Sequence, residues 1–178
     1  MARYAMVIDT KRCVGCADCV VACETENNVP EGYCRDWIVQ DVRGEFPHLQ
    51  MEIRSERCNH CENPPCVRCC PTGASHVEVG GIVLVDHDEC TGCKACIASC
   101  PYDARFVHPE GYVDKCTFCI HRVKEGRDPA CVEVCPTHCL HFGDLDDPDS
   151  EVSKLLKTRP YHTLLPEAGT KPKVFYLI

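Results

Sequence analysis

The chain has 178 residues, 27 of them acidic against 19 basic, a net charge of −8, and 19 cysteines. That length allows one domain or two small fused ones, and the negative charge argues against nucleic acid or anionic lipid as a partner. No run reaches the roughly 18 apolar residues of a membrane span. The first cysteine follows Met1–Asp9 too soon for a cleavable signal, so a soluble chain with no export address of its own is expected.

In chain order, Tyr4–Asp9 reads as a strand leading into a first cysteine run, Cys13, Cys16, Cys19 and Cys23. Trp37–Val42 and His48–Ile53 around Gly44 predict a hairpin. A second run, Cys58, Cys61, Cys66 and Cys70, is closed by Pro71. Ser75–Val79 and Ile82–Asp86 around Gly80-Gly81 predict another hairpin, which leads straight into Cys90, Cys93, Cys96 and Cys100, closed by Pro101. Arg105–His108 and Gly111–Asp114 flank Pro109-Glu110 as a shorter hairpin, ahead of a fourth run of Cys116, Cys119, Cys131 and Cys135, closed by Pro136. Cys139–Phe142 is a further β-rich segment. After an acidic, proline-rich stretch comes a helix near Glu151–Lys157 with Ser150 as its cap. The apolar end, Lys173–Ile178, reads as a docking segment, either covering a face for a partner or shielding the interior from water.

Cysteine at more than a tenth of the chain must organise the fold. A disulfide scaffold fits poorly, because the number is odd and the cysteines are bunched in C-x-x-C runs. Zinc sites usually take two separated C-x-x-C pairs; zinc is the competing metal reading. The first and third runs instead place three cysteines three apart and then a fourth, the ligand run of bacterial ferredoxins. Four [4Fe–4S] clusters on sixteen cysteines are therefore expected, taking the net charge to about −16.

The runs are internal repeats. Val7–Cys16 parallels Leu84–Cys93, and Pro65–Thr72 parallels Ala130–Thr137. A simple tandem would pair run one with two and three with four. The hairpin between Cys70 and Cys90 instead joins runs two and three into one ferredoxin module. Pairing Tyr4–Asp9 with Cys139–Phe142 would rebuild the same hairpin without its turn, so runs one and four form a second, split module around the first. The expected fold is α+β: 1–23 plus 116–143 as the split module, 58–100 as the inserted one, 24–57 and 101–115 as connections, and 144–178 as an extension.

Within such a module three close cysteines hold one cluster and the fourth serves the other. Site A is then Cys13, Cys16, Cys19 and Cys135; site B is Cys23, Cys116, Cys119 and Cys131. Site C is Cys58, Cys61, Cys66 and Cys100; site D is Cys70, Cys90, Cys93 and Cys96. Tandem pairing would keep every ligand and change its cluster.

Cys34, Cys69 and Cys139 are left over and read as small buried apolar residues. Lys94 lies between two site D ligands and either raises that cluster's potential or is a solvated lysine. His60 either donates to a cluster sulfur or packs. Arg105 and Arg122 read as partners of local carboxylates or carbonyls, and Trp37 as a core or interface anchor. No nucleophile–base constellation or phosphate-binding loop is present, so the chain is expected to be non-catalytic.

Cys58-Asn59-His60-Cys61-Glu62-Asn63-Pro64-Pro65-Cys66, Cys100-Pro101-Tyr102-Asp103-Ala104-Arg105, Lys115-Cys116-Thr117-Phe118-Cys119 and Phe142-Gly143-Asp144-Leu145 resemble the four-cluster electron-transfer subunits of molybdopterin oxidoreductases. Polysulfide, thiosulfate, dimethyl sulfoxide and arsenate reductases have such polypeptides, and the likeness is strongest to the polysulfide reductase type. The resemblance implies the nested ligand sets and an electron-transfer role in anaerobic respiration. It also implies two partners, a molybdopterin catalytic subunit and a quinone-reactive membrane subunit, and export alongside the former. Some relatives replace one ligand; here all sixteen positions are cysteine. A free-standing polyferredoxin shuttling electrons between soluble enzymes is the alternative.

Overall fold

A computed structural model describes residues 2–178. Strand β1 (Tyr4–Asp9) is followed by helix α1 (Asp18–Glu26), the hairpin β2 (Asp36–Arg43) and β3 (Gln50–Arg57), and the single turn α2 (Pro65–Arg68). Next come β4 (Ser75–Glu78), β5 (Ile82–Val85), the turn α3 (Ala95–Ala98), β6 (Phe106–Val107), β7 (Val113–Asp114), α4 (Ile120–Lys124) and α5 (Ala130–Glu133). The chain ends in β8 (Leu140–Asp144), α6 (Glu151–Thr158), β9 (Tyr161–His162) and β10 (Val174–Leu177).

β4 and β5 pair antiparallel with Glu78 opposite Ile82, and Gly80 and Gly81 make the turn at positive φ. A side chain on Gly80 would collide with the ring of Tyr4, so glycine there both makes the turn and lets the hairpin close onto β1. β1 pairs antiparallel with β8, from Tyr4 opposite Asp144 to Ile8 opposite Leu140. Two segments more than 130 residues apart thus form the same two-stranded unit without a turn.

The other elements depart from sequence expectation in extent. β3 begins two residues later than predicted and runs on to Arg57, directly before Cys58. Pro47 lacks an N–H and sits in the loop beyond the last rung, Arg43 opposite Gln50. The β6–β7 pair keeps only two rungs. α6 forms where expected, and Ser150 Oγ accepts the Ser153 N–H at 3.2 Å.

The C-terminal end, read from sequence as a docking segment, finds its partner within the chain. β10 lies parallel to β1 on the side away from β8, and β9 completes a sheet of order β8-β1-β10-β9. Met6, Val7, Ile8, Tyr176 and Leu177 are fully buried in it. α6 covers one face through Val152, with Leu155 and Leu156 packed beside it. The opposite face joins a larger core in which cysteines are interleaved with Tyr102, Phe118 and Leu140.

Candidate iron–sulfur sites

The path of the backbone gathers the cysteines in fours. Cys13, Cys16, Cys19 and Cys135 line one cavity, with Cys139 at its wall. Cys58, Cys61, Cys66 and Cys100 line a second, and Cys70, Cys90, Cys93 and Cys96 a third. Cys23, Cys116, Cys119 and Cys131 are all buried around a fourth point. There Asn27 Nδ2 lies 3.7 Å from Cys23 Sγ and 3.8 Å from Cys119 Sγ, and Arg57 Nη1 lies 2.9 Å from Cys131 Sγ. Each quartet combines three cysteines of one run with one of another.

A single tetrahedral zinc would draw its four sulfurs to about 3.8 Å from one another. Among the described residues no three His, Cys, Asp or Glu side chains close on a single-ion position. The quartets surround a volume, which fits a cube of iron and sulfide.

The backbone wraps these spaces in a repeated conformation. Gly15 and Ala17 in the first run have φ 69° and 65°; Gly92 and Lys94 in the third have φ 66° and 65°. His60 and Phe118, each third in a C-x-x-C, have φ 42° and 52°. A left-handed non-glycine residue costs about 1–2 kcal/mol, and repetition of that cost at equivalent positions points to a shared cause. At Phe118 the turned backbone N–H donates to Cys116 Sγ at 3.4 Å. Ser75 N–H and Cys139 N–H each lie 3.4 Å from the Sγ of Cys70 and Cys135. Thr72 and Thr137 hydroxyls stand 3.7 Å from the same two sulfurs. Burial works to raise these two thiols, but the N–H and hydroxyl donors outweigh it and hold both below the usual thiol range.

Where such donors are fewer, burial prevails. It pushes Cys61 and Cys116 up to about 12 and Cys131 up to about 11. A metal bound there would take their protons, since it deprotonates a coordinating thiol outright.

Buried cations sit among the sulfurs. Arg57 is 1% exposed, and its guanidinium lies 3.2 Å from the equally buried Asp36. Lys115 donates from Nζ to the carbonyls of Val83 and Cys116. Arg105 lines the Cys58 cavity; its Nη2 donates to Ser75 Oγ at 3.0 Å, while Nη1 is buried without a protein acceptor. An orphaned guanidinium N–H beside four cysteine sulfurs fits a sulfur-rich anion. Arg105 therefore does not pair with a carboxylate, unlike Arg122, which binds Glu26 Oε2 at 2.8 Å and the Asp128 carbonyl at 2.9 Å.

His60 is fully buried, stacks on Phe118 with ring centroids 3.7 Å apart, and accepts the Val83 N–H at Nδ1. Burial first, then Lys115, Lys173 and Arg105, hold it far below its ordinary value, so it is neutral, with Nε2–H free of protein acceptors. Lys94 is exposed at the rim of the Cys93 cavity. Trp37 packs against the main core.

Of the leftover cysteines, Cys139 is buried with its sulfur 3.5 Å from Cys135 Sγ. The hydrogen bond from Cys139, helped by the Gly15 N–H, holds Cys13 below the usual thiol range against burial, and the same contact raises Cys139. Cys69 is half-buried against Ser99 Oγ at 3.2 Å. Cys34 is exposed, contrary to the buried apolar reading, because the loop before β2 leaves it at the mouth of an open groove. Sequence reasoning passed over Arg57, Asp36, Lys115 and Lys173. A cation directly before the first cysteine of both the second and the fourth run was the available signal for two of them.

Cysteine quartets in ferredoxin-type runs, each wrapped by left-handed turns, define an iron–sulfur protein of ferredoxin-like α+β fold. A family model described as a 4Fe–4S dicluster domain matches residues 49–145. Protein NrfC of Escherichia coli is 48% identical over 97% of this chain and 79% of its own length. The B component of polysulfide reductase from Wolinella succinogenes is 45% identical over 97% and 93%. The arsenate respiratory reductase iron–sulfur subunit ArrB of a Shewanella species is 36% identical over 98% and 96%. The chain belongs to this family of iron–sulfur subunits of respiratory reductases, electron-transfer components that bind 4Fe–4S clusters and leave catalysis to another subunit.

Proposed function

We propose that this chain holds four [4Fe–4S] clusters, A to D as defined by the sequence, in two nested ferredoxin modules. In this reading they form a wire for single electrons between a quinone-reactive membrane subunit and a molybdopterin catalytic subunit of a polysulfide, thiosulfate, arsenate or similar reductase. The observation that carries the reading is the gathering of sixteen cysteines into four separate quartets, each drawn from two runs. The antiparallel pairing of β1 with β8, matching that of β4 with β5, supports the nesting.

When bound, such a cluster takes up and returns one electron at a potential set by its surroundings. The residues then do three things. The runs hold adjacent sites close, the core excludes water, and the N–H and cationic groups balance charge. Exposure supports the order A, B, C, D. Of the sixteen cysteines only Cys16 and Cys93 are exposed, one at A and one at D, at equivalent positions of the first and third runs. The B quartet is wholly buried, and at C only Cys100 is partly reached by solvent. Electrons then enter and leave at A and D. In this reading the chain reaches the membrane only through its partners and lies on the extracytoplasmic side by co-export with the catalytic subunit.

Iron and sulfide quantitation with paramagnetic resonance tests the count: about sixteen iron per chain is expected. About eight iron, or zinc, would overturn it. Isolation of the native protein tests the partners. Recovery with a molybdenum-containing subunit in a membrane fraction is expected, and a lone monodisperse chain would favour a free polyferredoxin.

A further inference from the structure

Sites B and C form a controlled pair. Both are internal, both take four cysteines, and both use the equivalent C-x-x-C loops whose third residues, His60 and Phe118, stack on each other at the seam between the modules. Solvent exposure and ligand type are therefore closely matched, and buried charge is what differs.

At site B the charge is cancelled. Arg57 donates to Cys131 Sγ, but its guanidinium also faces the Asp36 carboxylate at 3.2 Å, and both residues are 1% exposed. At site C it is not. Lys115, Arg105 and Lys173 are 1%, 5% and 2% exposed, and among the described residues none has a carboxylate within ion-pair distance. Their nitrogens donate to neutral oxygens, and Arg105 also faces the Cys96 sulfur of site D. Lys115 Nζ binds the Val83 and Cys116 carbonyls, Arg105 Nη2 binds Ser75 Oγ, and Lys173 Nζ binds the Gly81 carbonyl. Glu62, the acid nearest the Cys61 ligand in sequence, is engaged by Arg3 at 2.6 Å. Lys115 also adjoins Cys116 and so acts on both sites, whereas Arg105 and Lys173 do not reach B.

We propose that this cation set holds the site C cluster at a higher midpoint potential than the site B cluster, so that an electron rests on the C side of the seam. The reason is electrostatic. Reduction adds one negative charge, and an unpaired buried cation favours the reduced form strongly at low dielectric, whereas an ion pair offers little net field. The apolar C-terminal extension gains a redox task in the same way, since the segment entering β10 delivers Lys173. The proposal rests on the four-cluster reading above.

Redox titration followed by paramagnetic resonance on the full chain tests it, with iron content measured in each sample. Cys131→Ala and Cys66→Ala identify the B and C signals by their loss or conversion. The C midpoint is expected above the B midpoint by at least tenfold in the one-electron equilibrium, about 59 mV. Lys173→Gln and Arg105→Gln, which keep a hydrogen-bonding amide, are expected to lower C and leave B in place. Asp36→Asn is expected to raise B. A B midpoint equal to or above C in the unsubstituted chain overturns the proposal. So does an unmoved C signal in both glutamine variants at full iron. Low iron in the unsubstituted chain refutes the four-cluster reading instead.

Discussion

Nineteen cysteines share one chain, and the surroundings of each sulfur decide its role. Cys66 is buried on the cavity shared with Cys58, Cys61 and Cys100, beside Arg105. Cys34 is exposed, with no other cysteine on its groove. Cys66→Ala is therefore expected to lose one cluster's iron or convert that cluster to a three-iron form, whereas Cys34→Ala keeps the full complement. Iron per chain and the paramagnetic spectrum measure both; equal loss from the two variants would refute the division. The gathering of the cysteines was legible in the sequence because the residue type and spacing that metal ligation needs are both local. The cations at the same sites were not, because Lys173 lies more than a hundred residues from Cys61 and Cys58, the thiols whose charge it feels.

Among the secondary elements the same line separates what could be read from what could not. The β4–β5 hairpin carried its own turn in Gly80-Gly81, and the β1–β8 pair was legible through the repeat, although no turn joins it. The position of β10 carried no such mark. An apolar run declares that it will be buried but not against what, and a parallel neighbour leaves no turn to find. The pair Asp9–Arg159 ties the end of α6 to the end of β1, with Arg159 Nη2 3.2 Å from Asp9 Oδ1. Burial works to raise the Asp9 carboxyl, but Arg159 and the Lys11 N–H overcome it and hold it below the usual range. A depressed carboxylate stabilises fully above its unfolded value, about 4, and that contribution is lost as the pH falls through the lower folded value. Amide protection of α6 and β10 is thus expected to be full above about pH 4 and to fall below it. In Arg159→Gln protection is already reduced at neutral pH, and its acid dependence flattens. Hydrogen exchange across that range measures this; an unchanged profile in the variant would assign the acid response elsewhere.

For the whole molecule, stability is divided between two kinds of interior. Among the described residues 28 apolar ones are buried, of which 11 are cysteines, and all of these but Cys139 belong to the four quartets. Once iron is removed, that part of the core is a set of thiols around empty volume, and the left-handed turns at Ala17, Lys94, His60 and Phe118 lose what offsets their cost. The sheet β8-β1-β10-β9 with α6 stands on different ground. Val7, Val152 and Leu177 pack as a separate cluster, supported by Leu155, Leu156 and Phe175 and containing no cysteine. Removing iron with a chelator under reducing conditions is therefore expected to release backbone protection in an order set by these interiors. Residues 13–23, 58–100 and 116–139 exchange first, and β1, β10 and α6 last. Hydrogen exchange read by mass spectrometry during iron release distinguishes this from the alternative. If all segments lost protection together, cluster binding and the sheet would be one cooperative unit, and the terminal layer would owe its stability to iron as much as the runs do. If the terminal layer persists, it is the platform on which the first and fourth runs meet. In the proposed split module, a terminal layer that forms first would bring those runs together before iron arrives.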